Sequence, residues 1–193
     1  YLPTGYLSQD ERHRVRAWLG YDIPVPAVIG TLNASLLENF DSGLPYSAVG
    51  SIDLSAAKAA ASHYVSAPSS GQYYFSGRGT YRLPSITSTN IAFNWERPIG
   101  KVALLAHLYM NNVFNRSAVT AVNTTVNSSG NSSTFAPFNP LTQTPTECPQ
   151  GTAAATCKAG GFNWQKASTF GTVASATSFQ ATRQYYFNFG VRF

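Results

Sequence analysis

Apolar and polar residues alternate with a period of two in five segments of the chain. The clearest segment is the last, where Tyr185, Phe187, Phe189, Val191 and Phe193 are apolar or aromatic and the residues between them are mostly polar or small. Successive side chains of a β-strand point to opposite faces, so this alternation predicts a strand with one apolar face and one wet face.

Four segments upstream show the same alternation. In one of them the residues sharing a face are Val102, Leu104, Ala106, Leu108 and Met110. The pattern predicts antiparallel strands over about 12–23, 31–41, 87–97, 101–114 and 181–193. In the second segment the alternation breaks at Glu38, where we expect a β-bulge or the edge of the apolar band.

The connections between these segments alternate between short and long. Short turns rich in proline and glycine occupy 24–30 and 97–100, whereas Ser, Thr, Asn, Ala and Gly dominate the long stretches over about 47–85 and 116–178. Compact soluble domains seldom contain structureless loops of that length. Transmembrane β-barrels combine short periplasmic turns with long extracellular loops, and strands of about ten residues match a tilted crossing of the bilayer.

Composition agrees with β-structure that has one apolar face. Charged residues make up 11% of the chain and aromatic residues 13%, whereas typical globular proteins contain about 25% charged residues. No run approaches the roughly 18 apolar residues of a membrane-spanning helix, which excludes a helical membrane protein. The net charge of +5 comes from scattered basic residues, so we expect no nucleic-acid partner.

No complete catalytic motif is present. Ser55-Ala56-Ala57-Lys58 has the S-x-x-K form of penicillin-binding enzymes, but the companion S-D-N and K-T-G motifs are missing. No carboxylate pair stands out among the eight acidic residues. Tyr73–Gly79 mixes aromatic residues, glycine and arginine, yet it lacks the order of an RNA-binding motif. We therefore expect no enzymatic activity and no cofactor.

The two cysteines, Cys148 and Cys157, lie nine residues apart in a polar stretch. A zinc site needs more ligands at tighter spacing, and the three histidines are far away in sequence. We expect no metal site. A local loop disulfide in an oxidising compartment is preferred to two free thiols.

Several short motifs occur in a characteristic order along nearly the whole chain. They are Asp41–Val49, Tyr73–Gly79, Thr87–Trp95, Asn111–Asn115, Phe138–Thr142, Thr169–Gly171 and Phe179–Phe193. In this order and spacing, the chain resembles the C-terminal part of the barrel of a TonB-dependent outer-membrane receptor, in particular the Oar-like, carboxypeptidase-regulatory-domain-containing group.

The resemblance implies an all-β fold: an antiparallel transmembrane β-barrel sector of about five strands from a barrel of about 22. Because the strands of such a barrel alone need roughly 220 residues, we expect this chain to be a fragment or a separate polypeptide without the plug domain. The implied function is TonB-driven uptake of a large or scarce solute across the bacterial outer membrane. Siderophore, cobalamin, glycan and peptide all stay open as substrates.

The resemblance also implies partners and an orientation. The partners are outer-membrane lipid and lipopolysaccharide, the remaining barrel strands and plug, the barrel-assembly machinery, and TonB through the missing plug. The long loops would be extracellular and contact ligands or partners, and the C-terminus would be periplasmic. A disulfide between Cys148 and Cys157 would stiffen the second loop.

Two groups of residues are candidate functional positions. The aromatic C-terminal strand (Tyr185, Phe187, Phe189, Val191 and Phe193) resembles the signal that the barrel-assembly machinery recognises, with an ordinary core strand as the alternative. Arg12, Arg14 and Arg16 are expected on one lumenal strand face. They either attract an anionic substrate or lipopolysaccharide phosphates, or, as we prefer, pair with acidic residues of a plug or neighbouring strand. His107 is expected to be a solvated lumenal residue rather than a ligand.

Two other classes of function compete with the receptor. A small complete outer-membrane barrel, acting as an adhesin or pore, needs three more strands than the alternation supplies. A barrel fragment that acts as a structural scaffold for surface proteins needs a neighbouring chain with the missing strands.

Overall fold

The computed structural model describes residues 4–54, 69–130, 134–140 and 142–193, so the S-x-x-K motif at Ser55–Lys58 lies outside the described residues. The chain divides into two compact units. We call Glu11–Gly43, Pro84–Thr120 and Thr177–Phe193 the sheet unit, and Tyr1–Asp10, Leu44–Leu83 and Ala121–Ala176 the loop unit. Regular structure is almost entirely strand, which confirms the all-β expectation.

The elements follow in chain order. They are β1 (Arg14–Ile23), β2 (Thr31–Asp41), β3 (Pro45–Tyr46), β4 (Val49–Asp53), β5 (Ser70–Tyr74), β6 (Tyr81–Arg82), β7 (Ile86–Ile99), β8 (Val102–Asn111), β9 (Val126–Ser128), α1 (Ala154–Ala159), β10 (Trp164–Lys166) and β11 (Gln184–Arg192).

The sheet unit contains the five strands that the alternation predicts. They form one antiparallel sheet in the order β1-β2-β7-β8-β11. The observed bounds of β2 equal the predicted ones. β7 is longer than predicted and ends at Ile99, within the segment predicted as a turn. The prediction of strand over 112–114 is wrong, because Asn112 leaves the strand conformation with φ of 49°. Asparagine tolerates this left-handed region because its side chain bonds locally.

Glu38 does not interrupt the sheet. It pairs with Ala17 on one side and Thr89 on the other, and the residues before and after it stay in register. The expected bulge is therefore wrong. The Thr89 hydroxyl donates a hydrogen bond to the Glu38 carboxylate, which satisfies a polar group among apolar neighbours.

Glycine makes the two short connections possible. Gly100 has φ of 62° in the two-residue connection between β7 and β8, where a two-residue hairpin favours glycine at its first central position. Gly30, between β1 and β2, has φ of 104°, and a Cβ atom there would lie 2.2 Å from the Glu96 carbonyl oxygen. The turn therefore approaches β7 too closely for any side chain.

The loop unit has its own aromatic core. The pairs β3–β6, β4–β5 and β9–β10 form three short ladders, and the buried residues between them are Ala48, Ile52, Tyr73, Phe75, Val126 and Trp164. The Phe75 ring lies 5.2 Å from Trp164 and 5.0 Å from Tyr73 between centroids. Sequence alternation does not reveal these strands, because each has only two to five residues.

Lys166 lies at the border between this core and the surface of the loop unit. Its ammonium group lies 5.4 Å from the Tyr81 ring centroid and 3.1 Å from the Glu147 carboxylate. Hydrogen bonding to the Tyr81 hydroxyl, and then to Glu147, raises the pKa of Lys166 above its usual value despite partial burial. The amine therefore stays protonated beside the Tyr81 hydroxyl and the Glu147 carboxylate.

A second buried cluster surrounds the disulfide that joins Cys148 and Cys157. Both cysteines are fully buried, and Phe135 packs with them. The bridge connects the segment before α1 to the helix itself, where Cys157 lies. Closing a loop of this length restricts the unfolded chain more than the folded one.

We expect the double substitution Cys148→Ala with Cys157→Ala to lower the free energy of unfolding by about 2–3 kcal/mol, because the sequence separation of nine sets the lost loop-closure entropy. Urea unfolding with and without reductant measures the difference. Reduction of the unsubstituted protein should match the double variant, and reductant should leave the variant unchanged. An unchanged midpoint on reduction would contradict a stabilising role.

Candidate functional site

One face of the five-stranded sheet is apolar across all its strands. Directly paired residues share a face, so the register groups the apolar positions together. They are Val15, Ala17, Leu19, Tyr21, Ile23, Leu32, Ala34, Leu36, Phe40, Ile91, Phe93, Trp95, Ile99, Val102, Leu104, Ala106, Leu108, Met110, Tyr185, Phe187, Phe189 and Val191. We call this set the apolar face.

The apolar face is exposed at its edges. Leu19 on β1 is 66% exposed and Phe187 on β11 is 69% exposed. Five strands spaced by about 4.8 Å and about ten residues long cover an area of about 800 Å². That area exceeds the roughly 300–600 Å² of the largest apolar patch on a typical soluble monomer. A surface of this kind needs an apolar neighbour.

Polar side chains limit the apolar face at both ends. Glu38, Thr87 and Thr89 share it toward the long connections, and Arg97 shares it toward the short turns. On β1 and β2 the apolar side chains continue past Glu38, because Phe40 pairs with Val15 on the same face. Near the turns, the Trp95 indole N–H donates to the Ile29 carbonyl at 2.8 Å, the mixed apolar and polar contact typical of interfacial tryptophan.

The opposite face of the sheet is mostly polar, although Trp18, Leu37 and Leu105 also lie on it, and a row of polar side chains crosses it. The register aligns Asp22, Asn33, Asn94, His107 and Asn188 across the five strands. The Asn33 amide donates to the Asp22 carboxylate at 2.8 Å, and His107 Nδ1 lies 2.7 Å from the Asn94 amide oxygen. We call these five residues the polar row. Four of them were not candidates from sequence, although each occupies a polar position of the alternation.

A cavity of about 530 Å³ lies beside the polar row, lined in part by Glu96 and Leu105. The Glu96 carboxylate pairs with the Arg192 guanidinium on this face. Among the described residues, no three side chains of His, Cys, Asp or Glu are close enough to hold a metal ion. The hydrogen-bonding side chains around the cavity suit water and polar solutes.

The predicted basic row is partly formed and is paired within the chain. Arg14 and Arg16 lie on the polar face of β1, whereas Arg12 precedes the strand. Arg16 donates to both carboxylate oxygens of Asp41 on β2, at 2.7 and 3.0 Å, and Arg14 donates to Asp41 and to Glu11. Acidic residues of this chain, including one on the neighbouring strand, therefore neutralise two of the three arginines.

The aromatic C-terminal segment forms an edge of the sheet. Among the described residues β11 pairs only with β8, and Tyr185, Phe187, Phe189 and Val191 are each at least half exposed on the apolar face. Phe193 follows the strand and is fully exposed. At the other edge, within the same described ranges, β1 pairs only with β2. Edge strands of this kind present backbone groups that another strand can complete.

Comparisons with protein-family models, with curated protein sequences and with solved structures gave no match. Among the described residues, no helix is long and apolar enough to cross a bilayer.

We expect Asn94→Ala to lower the free energy of unfolding by about 1–2 kcal/mol, because it removes the bond to His107 and a 3.5 Å contact with Asn33. Denaturant unfolding of the full chain in detergent measures the change. Asn188→Ala is the matched control, because Asn188 is an asparagine of the same row that makes no side-chain hydrogen bond within the described residues. Equal losses for the two variants would contradict a stabilising role for the bonds of Asn94.

Proposed function

We propose that this chain forms a sector of the wall of an outer-membrane TonB-dependent receptor that takes up a large or scarce solute. The continuous apolar face carries the proposal. It is the surface expected where a barrel meets lipid, and the sequence motifs listed above independently resemble this class of receptor.

The dimensions of the sheet support a membrane crossing. A strand of ten residues such as β1 extends about 33 Å. Tilted by about 45°, it covers about 23 Å along the membrane normal, close to the roughly 25 Å apolar band of transmembrane barrels. The polar side chains toward both ends of the apolar face agree with an apolar band of that height.

The polar face and the connections support the same placement. A barrel lumen is polar and wet, and the polar row together with the Arg16–Asp41 pair suits that environment. Both long connections leave the sheet at the same end, after β2 and after β8. That end would be extracellular, with the short turns in the periplasm.

The open edges support a larger assembly. Unpaired backbone groups are costly in hydrocarbon, so a membrane sheet must close. β1 and β11 would pair with the remaining strands of the barrel, from the same or a separate chain. In this proposal the aromatic face of β11 serves as the assembly signal, and a plug domain and TonB would act on the assembled barrel. Outer-membrane lipid and lipopolysaccharide would cover the apolar face.

A structural scaffold is the second candidate, because the long connections fold into a unit with its own core and disulfide. Such a unit offers a firm surface to another protein. A small complete barrel has less support, since the described parts of the connections contain strands of two to five residues, against about 9–11 for a crossing.

Spin labelling of β11 in outer-membrane vesicles tests the lipid contact. The two native cysteines are joined and do not react, so Phe187→Cys and Asn188→Cys each carry one label. We expect label 187 to collide mainly with oxygen dissolved in lipid and label 188 mainly with a water-soluble nickel complex. Phe189→Cys should repeat the result of label 187, because strand side chains alternate.

Equal accessibility of labels 187 and 188 to the nickel complex would overturn the proposal that the apolar face contacts lipid. The intact mass of the natively isolated polypeptide then separates the receptor from the other candidates. We expect a mass several times the 20.8 kDa of this chain. A mass near that value would overturn the single-chain receptor and favour a separate subunit or scaffold.

A further inference from the structure

The loop unit contains a small groove that the membrane proposal leaves unused. It has a volume of about 180 Å³ and is lined in part by Tyr6, Tyr46, Ser47, Tyr74, Arg78 and Thr124. Typical small-molecule pockets measure roughly 300–1,000 Å³, so this groove accommodates one ring-sized group rather than a whole large ligand. Tyr74 and Arg78 belong to Tyr73–Gly79, one of the motifs that carry the resemblance to outer-membrane receptors.

The wall of the groove is built by docking of residues 5–10. The Tyr6 N–H donates to the Arg78 carbonyl at 3.1 Å. Gly79 has φ of 67°, and a Cβ atom there would lie 2.8 Å from Tyr6 Cβ, so a side chain at 79 would displace Tyr6. The Arg82 guanidinium lies 5.2 Å from the Tyr6 ring centroid and pairs with Asp10. The backbone bond to Arg78 and the contact of the ring with Arg82 thus fix the position of Tyr6.

The opposite side of the groove is also fixed. Tyr46 stacks on Tyr81 with 5.3 Å between ring centroids and lies 6.1 Å from the Phe170 ring. Lys166 lies over the Tyr81 and Phe170 rings. Ser47, which is 7% exposed, accepts the Gly79 N–H at 2.8 Å. Because a hydroxyl has one proton of its own to donate, Ser47 keeps a donor after this bond.

Arg78 supplies the charge of the groove. It is half-buried, with its guanidinium carbon 5.8 Å from the Tyr74 ring centroid. Within the described parts of the chain no carboxylate pairs with it, whereas Arg82 has Asp10 and Lys166 has Glu147. A partly desolvated cation with no counter-charge attracts an anion that brings one.

We propose that this groove binds one ring of an anionic saccharide, which carries a carboxylate or a phosphate. The anion would bond the Arg78 guanidinium, the apolar face of the ring would lie against tyrosine, and ring hydroxyls would bond Ser47 and Thr124. Two sources present this chemistry: an acidic polysaccharide in solution and the phosphorylated sugars of lipopolysaccharide. The site lies within the loop unit and does not depend on the membrane placement of the sheet.

Calorimetric titration of the full chain in detergent tests the site. The probes are a galacturonic acid trimer, glucosamine 6-phosphate and, as the neutral reference, a galactose trimer. We expect at least one anionic probe to bind at least tenfold more tightly than the neutral trimer, with affinity falling as salt rises. Tighter binding of the galacturonic acid trimer would identify an acidic polysaccharide as the ligand. Tighter binding of glucosamine 6-phosphate would identify a phosphorylated sugar. Equal binding of all three probes, or none, would overturn the proposal.

Variants then assign the binding to Arg78. Arg78→Gln should lower the affinity for the anionic probe at least tenfold. Arg78→Lys should recover part of the lost affinity, because it keeps the charge without the paired donors. Arg97→Gln is the matched control, since Arg97 is an exposed arginine of the sheet unit and its substitution removes the same charge. An unchanged affinity in Arg78→Gln would overturn the assignment.

Tyr74→Leu gives a second test if Arg78→Gln misfolds. It removes the ring under the guanidinium and should lower the affinity for the anionic probe severalfold. Its unfolding midpoint should stay close to that of the unsubstituted chain. Unchanged binding by Tyr74→Leu would overturn the groove as the binding site. Failure of the spin-label experiment on β11 would leave these results unaffected, so the two proposals fail separately.

Discussion

In-register antiparallel pairing is the constraint on which the sheet unit depends. Each backbone ladder fixes which residues lie opposite one another, and a slip of one residue would move every side chain to the other face. The pairing of β2 with β7 continues through Glu38 and Thr89 without a bulge, so the apolar side chains of all five strands stay on one face. The polar row on the other face aligns for the same reason.

The polar contacts of the sheet follow from this alignment. Asp41 lies opposite Arg14 in the register and receives bonds from both Arg14 and Arg16. His107 reaches Asn94 because those two residues are paired directly. Such bonds add modestly to stability one at a time, but together they favour a single register over its neighbours.

The loop unit depends on different physics. Its strands are too short for long ladders, so aromatic packing around Trp164 and the buried disulfide of Cys148 and Cys157 hold it together. A core of this kind fixes side chains such as Tyr46 in defined positions. The groove around Arg78 is therefore preformed, which reduces the ordering cost of binding a small ring. The described parts of the two long connections thus form a structured surface.

The sequence by itself determined the five strands, their antiparallel character and the separation of apolar from polar faces. A strand of about ten residues repeats its signal several times, so periodicity alone identifies β2 and β11. Local sequence could not determine the core of the loop unit, because strands such as β3 and β9 have only two or three residues.

Tertiary structure also decided the end of β8 at Asn111, the absence of a bulge at Glu38 and the pairing of Arg16 with Asp41. The groove beside Arg78 depends on segments near residues 6, 46, 78 and 124 coming together. Such contacts join residues far apart in the chain, and only folding specifies which of them meet.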